Sequence, residues 1–158
     1  IEFSDWSSDV CSSDLNGAVR DEGTSKGYAP VAYPAIPDFE LMRACVESAR
    51  KLRFWHRVGL TRSHDCLYGE ENEHATEIWT PRHVMASEQE TAALFVVGMM
   101  RGIRTASVLN VVAGYKGDLI SSIGSYASGS EATQAGELHE ILIALNAFVK
   151  IDRMFSAR

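Results

Sequence analysis

From Asn16 onward the apolar positions fall into stretches with different periods. Asn16 to Pro37 holds Gly, Pro and Tyr without sustained periodicity and reads as a strand end followed by loop. Phe39, Met42, Val46, Ala49 and Leu52 then recur at helical spacing, with Asp38 placed to cap. They predict a helix to about Leu52 with one apolar face. Phe54 to Thr61 predicts a strand with Val58 and Leu60 on one side. Ser63 to Thr80 is polar and reads as a loop with room for a short helix. The tetrad Ser87-Glu88-Gln89-Glu90 has the pattern of a capping box. There the hydroxyl and the second carboxylate each take an orphan backbone N–H, so a helix is expected from Ser87 to about Arg101, stopped at Gly102. Thr105 to Ala113 is apolar and rich in Val, which fits a strand buried on both faces. Gly114 to Ser130 is a Gly- and Ser-rich loop. The last helix, about Glu131 to Lys150, places Leu138, Ile141, Leu142, Leu145 and Phe148 on one stripe, expected to be core or a subunit contact. Strands alternating with helices indicate an α/β sheet covered by helices.

Composition narrows the function classes. A chain of 158 residues, 46% hydrophobic and 23% charged, has the balance of one globular domain. The net charge of -6 argues against a nucleic-acid surface, which needs clustered Lys and Arg. The apolar run Ala92 to Met100 is interrupted at Gly98 and is shorter than the roughly 20 residues of a membrane span. Three cysteines without paired spacing point away from a disulfide framework and toward a reducing cytoplasm.

The first fifteen residues stand apart. Ile1 to Leu15 has neither period, nor the charged and apolar regions of a signal peptide. Its string DWSSDVCSSDL, Asp5 to Leu15, resembles one translated frame of a common short-read sequencing adapter. Residues 1–15 are therefore expected to be a non-native segment outside the fold. An adapter join at this point further implies that the natural chain begins upstream of Asn16, with its N-terminal half missing here. Removing Glu2, Asp5, Asp9 and Asp14 takes the acidic residues from 21 to 17 against 15 basic, a net charge of -2.

Glu88 and Glu90 form the most suggestive carboxylate pair, since they lie at a helix start, where carboxylates can face a cleft. Around them, AVRDEGTSKGYAPVAYPAIPDFEL (Ala18 to Leu41), VGLTRSHDCLYGE (Val58 to Glu70) and ASEQETAALFVVGMMRGIRTASVLNVV (Ala86 to Val112) resemble consecutive blocks of the nucleoside phosphorylase family, most nearly its uridine phosphorylase branch. The resemblance covers most of Asn16 to Arg158. It implies the C-terminal portion of a three-layer α/β/α sandwich with a mixed central sheet. It also implies phosphorolysis of a nucleoside to free base and ribose 1-phosphate. Such a reaction passes through a ribosyl cation-like state, so a carboxylate must hold the ribose hydroxyls and an anion site must position phosphate.

By resemblance, Glu90 binds the ribose hydroxyls, Gln89 packs against the sugar and Glu88 lies close by. A capping box alone also explains an S-x-x-E pattern, and both roles can hold together. In the block Ser63, Asp65, Leu67, Tyr68, the Leu67 position faces the base, here without a ring to stack. Tyr68 lines the site or the core, and Asp65 is expected to order the loop. The resemblance implies inorganic phosphate as cosubstrate, no organic cofactor, and a homo-oligomer built from dimers.

This chain also departs from the family. Gln89 stands where Met is usual. The Gln and Arg of uracil-specific members have no counterpart after Tyr68, and the Asp of purine-specific members is unmatched, although Asp118 lies near its place. Asn72, His74, Tyr115 and Lys116 remain as candidate donors to the base, against a plain role as solvated loop residues. The family's phosphate ligands lie in the N-terminal half and are carried over to nothing here.

Other signals are weaker. Gly124 to Ser130 has the glycine spacing of a phosphate loop but lacks its Lys. His64, Asp65, Cys66, His74 and His83 match no tetrahedral zinc spacing. Cys66 as a nucleophile would need a positioned His. The rival functions are a nucleosidase, which uses water instead of phosphate, and a fragment without catalysis.

Overall fold

The computed structural model describes residues 12–68, 74–112, 124, 128–129 and 131–156. Strand β1 (Ser12–Asp21) leads to a short helix α1 (Thr24–Tyr28) and then to α2 (Phe39–Leu52). Strand β2 (His56–His64), helix α3 (Ala75–Trp79) with a 3₁₀ turn at Thr80–Arg82, and strand β3 (Val84–Glu88) follow. Helix α4 (Thr91–Arg101), strand β4 (Val108–Asn110) and helix α5 (Glu131–Ser156) complete the order. The sheet runs β3-β2-β1-β4, with β1, β2 and β3 parallel and β4 antiparallel to β1. The mixed sheet of the expected fold class is therefore present.

Two cores form, one on each side of the sheet. Val108 packs with Leu41, Cys45, Ala49, Ile143 and Ala147, whereas its neighbour Leu109 packs with Leu15, Ala92, Phe95 and Val96. Successive strand residues point to opposite faces, so α2 and α5 cover one face and α4 the other. That arrangement gives three layers.

Several elements follow their local chemistry. Asp38 caps α2, its carboxylate accepting from Leu41 N–H at 2.8 Å. Gly102 ends α4 at φ 66°, with Gly102 N–H bonded to Met99 O and Ile103 N–H to Gly98 O. This pairing is the Schellman motif, and it needs a residue that tolerates the left-handed region.

Other expectations are corrected. Residues 12–15, set outside the fold above, lie in β1 and pair with His56 to Gly59, and Leu15 is fully buried. Strand pairing uses backbone groups whatever the side chains, and Leu15 supplies an apolar side chain where the core needs one. On α2, Val46 and Ala49 are buried as expected, but Leu41, Ala44 and Cys45 are buried with them while Phe39 is 66% exposed. The stripe on α5 is not core: Leu138, Ile141, Leu145 and Phe148 are exposed and Leu142 is half-buried. Instead Ile143, Ala147 and Ile151, spaced by four, meet the small residues Ala44, Cys45 and Ala49 of α2. Small side chains on α2 leave room for the bulkier Ile143 and Ile151 on either side of Ala147. The strand expected over Thr105 to Ala113 is regular only at Val108–Asn110 and is half-buried. Thr24–Tyr28, read as loop, is helical, whereas Val58 and Leu60 do share one side of β2, an exposed one.

Candidate active site at the strand ends

The three parallel strands bring their C-terminal ends together. Asp21 of β1 is in register with His64 of β2, and Ser63 with Glu88 of β3. In open α/β sheets ligands bind at this edge. The last four residues of β2, Thr61, Arg62, Ser63 and His64, are polar and all buried. Burying such a run requires partners for it. Arg62 donates to Asp21 at 2.6 Å. His64 Nδ1–H donates to the Cys66 carbonyl at 3.0 Å. One nitrogen of the imidazole is thus held by backbone.

The start of α4 differs from the capping box. Ser87 lies within β3, and its hydroxyl donates to the Arg62 carbonyl at 3.5 Å. Glu88 performs the capping: its Oε2 accepts from Glu90 N–H at 2.7 Å and Thr91 N–H at 2.6 Å. Its Oε1 accepts from Ser63 Oγ–H at 2.5 Å and Thr61 Oγ1–H at 3.4 Å. Ser63 Oγ in turn accepts from Ala92 N–H at 2.8 Å. A carboxylate bound to first-turn N–H groups is stabilised by the helix dipole. The pattern in sequence is short enough to fit either cap, and only the strand to its left decides between them.

The carboxylates of the pair therefore have different fates. Both oxygens of Glu88, expected along the sugar, are engaged within the protein. Glu90 and Gln89 are exposed, and the only hydrogen bond made by the Glu90 carboxylate among the described residues is a local one, from Gln89 N–H at 3.2 Å. Leu67 and Tyr68 follow β2 at the same edge and are 38% and 74% exposed. Asp65 orders the neighbouring loop, both its oxygens accepting from Gly23 N–H at 3.1 and 2.9 Å.

The loop after β1 is built around Arg20. Its guanidinium donates to the carbonyls of Ser25, Ala29, Pro30, Val31 and Tyr33 and to Ser25 Oγ. Glu22, buried, accepts from Ser25 N–H at 2.8 Å. The sequence names Ser63 only as the first residue of its block and assigns no role to it or to Arg20. The signal for Ser63 is the polar run Thr61 to His64 that closes the strand after Val58, Gly59 and Leu60.

A profile described as the phosphorylase superfamily matches residues 10–142. The chain belongs to this superfamily. It is 40% identical over 106 residues to a uridine phosphorylase of Treponema pallidum, a match covering 61% of this chain and 41% of that protein. It is 34% identical over 95 residues to a guanosine phosphorylase of Halorubrum lacusprofundi, covering 60% and 39%. A crystal structure of uridine phosphorylase from Vibrio fischeri superposes with a TM-score of 0.76 at 33% identity, covering 90% of this chain and 56% of that one. The chain thus spans about two fifths of the curated relatives that it matches. The superfamily member described here keeps the open mixed sheet of that fold.

Of the other candidates, Asn72, Tyr115, Lys116 and Asp118 lie outside the described residues, as does most of the Gly124 to Ser130 loop. His74 is exposed, with Nδ1 3.5 Å from Glu77. Among the described residues no three His, Cys, Asp or Glu are grouped to hold a metal ion. No described helix is long and apolar enough to cross a membrane.

Proposed function

We propose that the chain supplies the nucleoside-binding part of a cytoplasmic nucleoside phosphorylase. The reaction is reversible phosphorolysis of a ribonucleoside to free base and ribose 1-phosphate, a pentosyl transfer in nucleoside salvage. The observation that carries this reading is the placement of Glu90. Its carboxylate is exposed at the strand ends of a phosphorylase-superfamily sheet, while Glu88 is consumed in holding the turn beneath it. Glu90 accepts from the ribose hydroxyls and stabilises positive charge that develops on the ring. Gln89 lies along the sugar, and Leu67 and Tyr68 along the base. Inorganic phosphate is the attacking cosubstrate, and no organic cofactor takes part. Matches to proteins named for uridine and for guanosine leave both pyrimidine and purine substrates to be assayed. On this reading the enzyme is a homo-oligomer.

The test is release of free base from uridine, thymidine, inosine and adenosine, with and without phosphate. It is run on this chain and on the gene product amplified from source DNA, each beside Glu90→Ala. Phosphate-dependent release that disappears in Glu90→Ala supports the reading and names the base. Release without phosphate means a nucleosidase, and no release from either folded protein overturns the assignment.

A further inference from the structure

We infer that Ser63 is a positioning residue for the ribose carboxylate, acting through Glu88 and the first turn of α4. The inference rests on the reading of Glu90 given above. Ser63 is fully buried and reaches across from β2 to two places at once. It donates to Glu88 Oε1 at 2.5 Å and accepts from Ala92 N–H at 2.8 Å. Glu88 then holds Glu90 N–H and Thr91 N–H through its other oxygen. One hydroxyl therefore fixes both ends of the segment from Glu88 to Ala92, and Glu90 sits inside that segment. Glu90 has φ -124° and ψ -28°, outside the helical region, so its backbone conformation is not set by the helix that follows. The turn is held instead by bonds to a side chain from the neighbouring strand.

A second consequence concerns phosphate. The N–H groups of Glu90, Thr91 and Ala92 are all taken by Glu88 and Ser63. They are not free to hold an anion, so the α4 terminus serves the sugar and not the phosphate. Ser63→Ala should loosen the ribose carboxylate while leaving phosphate affinity alone.

The experiment uses the enzyme assayed above, with Ser63→Ala, Ser63→Thr, Glu90→Ala and the double variant Ser63→Ala with Glu90→Ala. In Ser63→Ala, kcat/KM for the nucleoside should fall by about 10- to 100-fold, the range for a misplaced binding group. KM for phosphate should not move. Ser63→Thr, which keeps the hydroxyl, should recover most of the loss. The double variant should be no worse than Glu90→Ala alone. Equal losses from Ser63→Ala with and without Glu90 would overturn the inference, as would a shifted KM for phosphate. Amide exchange on the unsubstituted chain gives an independent reading if Ser63→Ala does not fold. Glu90, Thr91 and Ala92 N–H should exchange slowly, and exchange at the rate of an exposed turn would sink the proposal. If Glu90→Ala leaves turnover unchanged while these amides are protected, the ribose role of Glu90 has failed and the Ser63 lock has not.

Discussion

Glu140 should make the packing of α5 weaken as pH rises through neutrality. It lies beside a cavity of about 270 Å³ between α2, β4 and α5, lined by Leu41, Cys45, Ala106, Val108, Ile141 and Phe148. Burial pushes its carboxyl up from 4.5 to about 7, Glu137 adds to the rise, and the Asn110 backbone N–H opposes it. Because the folded value is raised, the stability linked to this group is fully present below 4.5 and is lost as pH climbs through 7. From 4.5 to about 7, at about 1.4 kcal/mol per pH unit, the ceiling is about 3.5 kcal/mol. The carboxyl is partly exposed and solvent screens it, so about 1–2 kcal/mol is expected. With a urea m-value of about 2 kcal/mol/M, the midpoint should drop by about 0.5–1 M between pH 5 and pH 8.5. Glu140→Gln should remove that drop. His139, whose imidazole burial holds below its ordinary value, acts in the opposite direction by losing stability as pH falls. It is present in both proteins and cancels in their difference. Identical pH dependence of the two midpoints would refute the reasoning, and so would an unsubstituted chain that gains on Glu140→Gln as pH rises.

Three further outcomes follow from local geometry. Asp38→Ala removes the acceptor of Leu41 N–H and should cost about 1 kcal/mol in thermal or urea unfolding, with Asp38→Asn nearly neutral. Gly102→Ala puts a side chain at φ 66° and should cost about 1 kcal/mol by the same measurement. Ile143→Ala, at a fully buried contact between α5 and α2, should cost about 2–5 kcal/mol and raise amide exchange along both helices.

What the sequence disclosed depended on how local the cause was. Asp38 and Gly102 act within one turn of their own helix, so α2 and the end of α4 could be placed from their residues alone. The side of a helix that meets the core depends on its partner. The Leu138 to Phe148 stripe is as periodic as a core stripe, but Ala44 and Ala49 of α2 pack with Ile143, Ala147 and Ile151 instead. The capping box failed for a related reason: Glu88 ends a strand, and its acceptors serve N–H groups that lie after it. Glu90 could be picked out by resemblance. That Glu88 is engaged within the protein while Glu90 is exposed could not, because Glu88 is held in part by Ser63, 25 positions before it.

The arginine at the end of β1 has a bearing on how this loop can change over generations. Of its six acceptors, five are main-chain carbonyls and only Ser25 Oγ belongs to a side chain. Every residue type offers the same carbonyl. Most positions from Ser25 to Tyr33 can therefore drift while the path of the backbone is inherited, and the heritable information for that path is concentrated in a single codon outside the loop.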